Sequence, residues 1–295
     1  MATGRRSFLK FSLASALGAG LRMFGRGRRA AAQQAGGPGG AVELAEPFAF
    51  CVVADPHTSE PPKKGLESCG NAVEKFFACV REMEKLEGEE KPDFMLIVGD
   101  VHLWELRKHL DRVPIPMHVI AGNHDAGGAK REMRDLFPAD FKQGGREADY
   151  YSFVHKGVRF IGLCNAIADH IGHLCSEDIV PRGQCEWLEG ELAGPERHKI
   201  IFAHIPPEPQ GRDLNMFMAR NDSRYFNQLL ERTQPTAAFF GHQHLATVER
   251  KVGRTRSFVL RSCCWNGRRA PIGFMVVRVT PEGISTREII TGRYS

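Results

Sequence analysis

The sequence predicts an α/β domain built on mixed sheets, and three observations lead there. Five short apolar runs recur along its 295 residues, each ending in polar side chains. Patterns with helical spacing lie between the runs. A hairpin pattern and a β-rich tail then argue against a single parallel sheet.

In chain order, "FAFCVVA" (48–54) runs into Asp55-Pro56-His57, and "FMLIV" (94–98) into Gly99-Asp100. "MHVIA" (117–121) runs into Gly122-Asn123-His124-Asp125, "KIIFA" (199–203) into His204, and "AAFF" (237–240) into Gly241-His242-Gln243-His244. Apolar runs of this length without alternation suit strands buried on both faces. Between the first two, "GNAVEKFFACVREMEKLE" places Val73, Phe76, Phe77, Val80, Met83 and Leu86 on one helical face. Shorter helices are predicted over 184–193 and 222–233, the latter with Asp222 as N-cap. "YYSFVHKGVRFIGLC" (150–164) reads as two strands about a Lys-Gly turn, and the segments after residue 253 as further β.

The length admits one large domain or two small ones. No repeat, low-complexity run or second linker appears after Pro47, so one domain over 47–295 is expected. No run of 18 apolar residues exists, and no permanent membrane span is expected. The formal net charge of +5 is unevenly placed: residues 1–32 carry seven basic and no acidic side chains. The remainder holds 33 basic against 35 acidic residues, about −2. That balance disfavours a nucleic-acid partner, because phosphate tracking needs clustered Lys and Arg.

The N-terminus, "GRRSFLKFSLASALGAGLRMFGRGRRAAA", resembles a bacterial twin-arginine export signal, with Gly4 where that pattern has Ser. The resemblance implies a signal peptide over 1–32 cleaved after Ala32, the twin-arginine translocase as partner during export, and a periplasmic or other extracytoplasmic location. Substrates of that route are exported folded, often with a metal or cofactor in place. "QQAGGPGGAVELAE" (33–46) follows as a Gly-rich linker. Among eight cysteines none forms a Cys-x-x-Cys pair; Cys51 and Cys164, inside apolar runs, read as buried small hydrophobes, and Cys263-Cys264 as structural or incidental. Export permits disulfides, but the sequence assigns none.

In α/β sheets, function collects beyond the carboxyl ends of strands. Five strand ends here present Asp55, His57, Asp100, Asn123, His124, His204, His242 and His244. Singly, each has an ordinary explanation, since Asp and Asn end strands and a lone His is usually a satisfied polar residue. Five in series, from distant parts of the chain, call for a common purpose. Imidazole and carboxylate together suit first-row transition ions rather than Ca or Mg alone. The donors outnumber what one ion can use while leaving room for substrate, so two ions sharing a carboxylate are expected.

The ordered set Asp-x-His, Gly-Asp, Gly-Asn-His-Asp, His, Gly-His-x-His resembles the calcineurin-like metallophosphoesterases over roughly residues 47–280. The resemblance implies a four-layer αββα sandwich of two mixed sheets flanked by helices. It also implies a di-metal phosphoester hydrolase in which a metal-bridging hydroxide attacks phosphorus. Position by position, Asp55, His57 and His244 would hold one ion, Asp100 would bridge, and Asn123, His204 and His242 would hold the second. His124 would face the leaving group, with Asp125 orienting it and keeping it protonated. Metal identity stays open among Mn, Fe, Zn, Co and Ni. Leu103 stands where many members carry Asp, Asn or Tyr, which sets the chain apart from purple acid phosphatases. His102 reads as supporting or surface rather than ligating.

The expected substrate is a small phosphomonoester or phosphodiester, cyclic nucleotides included. Arg212, Arg220, His170 and His173, in loops after two of the strands, are candidates to meet it, against the plainer reading of solvated surface groups. The competing expectation is a non-catalytic metal-binding scaffold of the same fold, disfavoured because the ligand set and His124 are intact. A metallo-β-lactamase-like hydrolase is disfavoured because no His-x-His-x-Asp-His run exists.

Overall fold

The computed structural model describes residues 40–125 and 127–295. The segment read as an export signal (1–32) and residues 33–39 of the Gly-rich stretch lie outside the described residues. The first apolar run forms β1 (Phe48–Val53), followed by α1 (Ala72–Glu84), β2 (Pro92–Val98), a short α2 (Leu103–Leu106) and β3 (Met117–Ile120). Then come α3 (Gly128–Leu136), a small two-stranded unit of β4 (Lys142–Gln143) and β5 (Arg146–Glu147), and the hairpin β6 (Tyr151–His155) and β7 (Val158–Gly162). The rest is α4 (Gln184–Leu192), β8 (His198–Phe202), α5 (Arg220–Thr233), β9 (Ala237–Phe240), β10 (Val248–Val252), β11 (Thr255–Val259), β12 (Ile272–Thr280) and β13 (Gly283–Gly292).

Two mixed sheets result. One runs β13-β12-β1-β2-β3, the other β10-β11-β9-β8-β7-β6. The strands that end in polar quartets are parallel to their neighbours: β1 with β2 and β2 with β3 in the first sheet, β8 with β9 in the second. The antiparallel members are β12 and β13 in the first sheet and β6 and β10 in the second.

The period-2 geometry of a strand sorts side chains between two faces, and β1 shows it: Phe48, Phe50 and Val52 enter one core while Cys51 and Val53 enter another. The first core lies between the sheets and includes Phe94, Phe160, Phe202, Phe239 and Phe258. The second joins the outer face of the first sheet to Phe76, Phe77, Val80 and Met83 of α1 and Met133 of α3. The third joins the second sheet to Leu188 and Leu192 of α4 and Phe226, Leu229 and Leu230 of α5. Helix, sheet, sheet, helix is the layering expected. Helix α1 starts cleanly because Asn71 accepts the Glu74 N–H at 3.0 Å while the Glu74 carboxylate accepts the Asn71 N–H at 2.6 Å, a reciprocal cap.

Several elements differ from the sequence reading. Helix α5 begins at Arg220, so Asp222 sits inside its first turn rather than capping it; its carboxylate instead accepts the Cys175 N–H at 3.3 Å. The last part of the stretch read as linker is docked: Val42 N–H donates to Pro195 O at 2.8 Å, Arg197 N–H to Val42 O at 3.0 Å, and Ala45 N–H to Lys156 O at 2.9 Å. Strand β10, "VERKV", is mostly exposed and carries three charged residues in succession, which hid it. Cys175 and Cys185 form a disulfide, and Cys51, Cys164, Cys263 and Cys264 are buried.

The inter-sheet core centres on Phe50, stacked on Phe94 with ring centroids 5.4 Å apart and edge-on to Phe160 at 5.2 Å. Phe50→Ala should therefore cost about 3–5 kcal/mol of folding stability, read as a lowered denaturation midpoint in urea.

Candidate metal centre

Because the quartet-bearing strands share a direction within each sheet, their carboxyl ends deliver the polar side chains to one place. Asp55 and His57 follow β1, Asp100 follows β2, Asn123 and His124 follow β3, His204 follows β8, and His242 and His244 follow β9. Six non-glycine residues of these turns have positive φ: Asp55, His57, Asp100, His102, His242 and His244. Such left-handed conformations cost roughly 1–2 kcal/mol per residue and persist where the surroundings enforce them.

The enforcement is reciprocal. His242 N–H donates to both oxygens of Asp55 at 3.0 Å, and His124 N–H to Oδ1 of Asp100 at 2.9 Å. Each carboxylate presses so close to the next turn that no side chain fits there. A Cβ on Gly241 would stand 2.4 Å from Asp55 Oδ2, and one on Gly122 would stand 2.1 Å from Asp100 Oδ1. Gly122 is thus required by close approach.

Two donor clusters share Asp100. Asp55, His57, Asp100 and His244 make one; Asp100, His204 and His242 make the other. In the first, His57 Nε2 lies 3.0 Å from His244 Nε2 and 3.4 Å from Asp100 Oδ2, and His244 Nε2 lies 3.4 Å from Asp55 Oδ1. In the second, His204 Nε2 lies 3.2 Å from His242 Nδ1, 3.3 Å from Asp100 Oδ2 and 3.0 Å from Asn123 Oδ1. Asn123 thereby joins the second cluster.

The opposite ring nitrogens decide what these contacts mean. His204 Nδ1 donates to Val98 O at 2.8 Å, His244 Nδ1 to Trp265 O at 2.7 Å, and His242 Nε2 to His170 O at 3.2 Å. Those bonds put the lone pairs on His204 Nε2, His244 Nε2 and His242 Nδ1, all aimed inward, as in metal-bound imidazoles. Lone pairs facing each other at such distances, beside buried carboxylates, repel unless a cation or a proton lies between them. The residues therefore fit a pair of metal ions.

The titration behaviour says the same. Burial opposes a charged His204, yet Asp100 and Asp55 outweigh it and raise its pKa to about 9. Burial, reinforced by His204, lowers His242 to about 3, and burial lowers His57 to about 4 against the pull of Asp100 and Asp55. Asp55 and Asp100 are held below the usual carboxylate range: burial resists, but the imidazoles of His244 and His204 prevail.

Asp125 has a different duty from the one expected. It is fully buried, and its carboxylate accepts N–H bonds from Gly122 (2.9 Å), Val101 (3.0 and 3.1 Å) and His102 (3.0 Å). Among the described residues its partners are these backbone amides, not the His124 imidazole. Asp125 ties the β2 turn to the β3 turn. Burial and the nearby Asp100 raise its pKa to about 6.

His124 is exposed, with its ring centroid 5.0 Å from that of His57 and 5.6 Å from that of His102. His170 lies 6.4 Å from His124 and 5.8 Å from His242, whereas His173 turns toward Asp222 at 3.8 Å. Arg212 is engaged by Glu208 at 2.7 Å and Arg220 by Asp213 at 2.5 Å. The sequence reading missed Asn165, fully buried, whose Oδ1 accepts the N–H groups of His204 (3.1 Å) and Ile205 (3.2 Å). It missed Trp265 too, stacked on His244 with ring centroids 4.0 Å apart. Asn165 had a signal, a polar residue closing the apolar run after β7; Trp265 had none.

Residues 48–246 match the family described as calcineurin-like phosphoesterase. No curated protein matches the chain in sequence. Among solved structures, a dimetal phosphatase from Danio rerio is similar at 12% identity and TM-score 0.58, covering 86% of this chain and 100% of that one. GAP50, the anchor in the inner membrane complex of Plasmodium, is similar at 12% identity and TM-score 0.55, covering 84% and 86%. A putative 5′-nucleotidase from Staphylococcus aureus is similar at 14% identity and TM-score 0.51, covering 85% of this chain and 55% of its own.

Metal uptake should release protons, because His204 (pKa about 9) is protonated near neutrality without metal and must be neutral to ligate. Calorimetric titration of metal into the metal-free protein at pH 7, in buffers of different ionisation enthalpy, should show on the order of one proton released. Affinity should rise from pH 6 to pH 9.

Proposed function

The chain belongs to the calcineurin-like phosphoesterase family, and on that premise we propose that it is a two-metal hydrolase of small phosphomonoesters or phosphodiesters, cyclic nucleotides included. One observation carries the reading: Asp100 is common to two buried donor clusters that, with Asn123 beside His204, draw on five strand ends. On this reading Asp55, His57, His244 and Asp100 would hold one ion, and Asp100, Asn123, His204 and His242 the other. When bound, such a pair of divalent or trivalent first-row ions polarises a phosphoryl oxygen and lowers the pKa of water toward neutrality.

The chain's own side chains do the rest. Exposed at the mouth, the His124 imidazole hands a proton to the departing oxygen or steadies charge there. Its backbone N–H stays on Asp100, so the turn that presents the acid is tied to the shared carboxylate. Asp125 keeps the two turns in register. Burial of Asp55, Asp100 and His204 removes bulk water and strengthens every local electrostatic interaction. A small substrate is supported by the body charge of about −2 and by the engagement of Arg212 and Arg220 with Glu208 and Asp213.

His124→Ala is expected to lower kcat by roughly 10²–10⁴-fold while elemental analysis finds unchanged metal content. A panel of mono-, di- and cyclic phosphoesters with metal-loaded protein tests the reading directly; turnover confined to DNA or RNA would overturn the small-substrate part, and no turnover at all would favour a metal-binding scaffold.

The reading extends to location: the mature enzyme is exported through the twin-arginine route and works outside the cytoplasm as a single domain. Support comes from the Arg5-Arg6 pattern and from the Cys175–Cys185 disulfide, a bond that persists mainly in oxidising compartments. No helix among the described residues is long and apolar enough to cross a membrane. Replacing Arg5 and Arg6 by Lys should leave the protein in the cytoplasm, whereas the wild-type chain recovered outside it should begin at Gln33 on N-terminal sequencing.

A further inference from the structure

His102 follows the shared aspartate by two residues, and nothing in the two-metal reading uses it. Its backbone has the same left-handed signature as His57 and His244, with φ of 53° against 41° and 49°. Three partners fix it: its N–H donates to Asp125 Oδ1 at 3.0 Å, its carbonyl accepts from Thr58 Oγ1 at 2.9 Å, and its Nδ1 meets the Ser59 hydroxyl. A half-buried ring held at both ends of its backbone and at Nδ1 leaves Nε2, which has no hydrogen-bond partner among the described residues, free for a purpose of its own.

That purpose follows from what surrounds it. One ring nitrogen each of His57, His102 and His124 lie within 4.8 Å of one another. His57 belongs to the first metal cluster, which leaves His102 and His124 as neighbouring imidazoles at the mouth, ring centroids 5.6 Å apart. The arginines of the flanking loop, Arg212 and Arg220, are held by Glu208 and Asp213. Phosphate oxygens accept N–H donors, and His102 and His124 can offer them at this spot.

Resting on the phosphoesterase reading, we infer that His102 is a substrate-contact residue whose Nε2–H donates to a non-bridging oxygen of the phosphoryl group beside His124. In this assignment the Ser59 hydroxyl donates to Nδ1, which leaves the proton of the neutral ring on Nε2 for the phosphoryl oxygen. His102 thus takes the place an arginine fills at other phosphate sites.

Two substitutions separate this role from a structural one, because Gln places its amide nitrogen near Nε2 whereas Asn places its own near Nδ1. Inorganic phosphate is titrated calorimetrically into metal-loaded wild type, H102N and H102Q, with metal content and melting temperature measured alongside. H102N should weaken phosphate binding about tenfold or more and raise KM more than it lowers kcat, with metal content unchanged; H102Q should stay within about threefold of wild type. The assignment is overturned if H102N keeps wild-type phosphate affinity, if H102Q loses as much as H102N, if either variant loses metal (which would make His102 a ligand), or if wild type binds no phosphate. Should wild type hydrolyse nothing while phosphate binding still follows the expected order, the hydrolase reading falls and the contact stands.

Discussion

The backbone N–H groups of His242 and His124 grip the carboxylates of Asp55 and Asp100, and the rest of the centre depends on that grip. A buried carboxylate without partners is prohibitively unfavourable. Here the partners belong to turns that themselves carry donors, so no turn can move without disturbing another. The demand propagates outward. Glycine is imposed at positions 122 and 241, left-handed backbone at six polar residues, and a common strand direction within each parallel segment. The sandwich supplies the rigidity, with three separate apolar cores holding the strand ends in place.

Much of this was legible in the sequence, and for a definite reason. Strands buried on both faces appear as unbroken apolar runs, and the polar groups ending them stand out by contrast. That contrast marked β1, β2, β3, β8 and β9 and every donor in the two clusters. Strand β10 lacks it, since "VERKV" lies at a sheet edge with its side chains in water. Asp125 was found but its partners were not: proximity in sequence suggested the His124 ring, whereas the backbone amides of Gly122, Val101 and His102 claimed its oxygens. Asp222 failed similarly, because a tertiary partner, the Cys175 N–H, outcompeted local capping. Left-handed backbone at His and Asp leaves no trace in composition.

Similarity at 12% identity to solved structures is a similarity of fold. Apolar cores tolerate wide exchange among residues of similar volume, while donors that must meet within a few ångströms do not. The loops beyond the donors are free to diverge, and they decide what reaches the centre. The loop containing His170 is anchored at several points: the His170 carbonyl holds His242, Gly172 pairs with Met218, and a disulfide closes its far end. The loop and the His242 ring are therefore coupled, so changes in the loop also bear on that ring.

The docking of Val42 and Ala45 fixes where the chain enters. Both pair with segments at the starting ends of β7 and β8, the pole of the sandwich opposite the donor clusters. An affinity handle, a tether to a bead or an electrode, or a fused partner introduced just ahead of residue 40 would thus hang from the blind side of the molecule. Immobilisation through that entrance leaves the mouth turned toward solution, a favourable orientation for diffusion of small solutes.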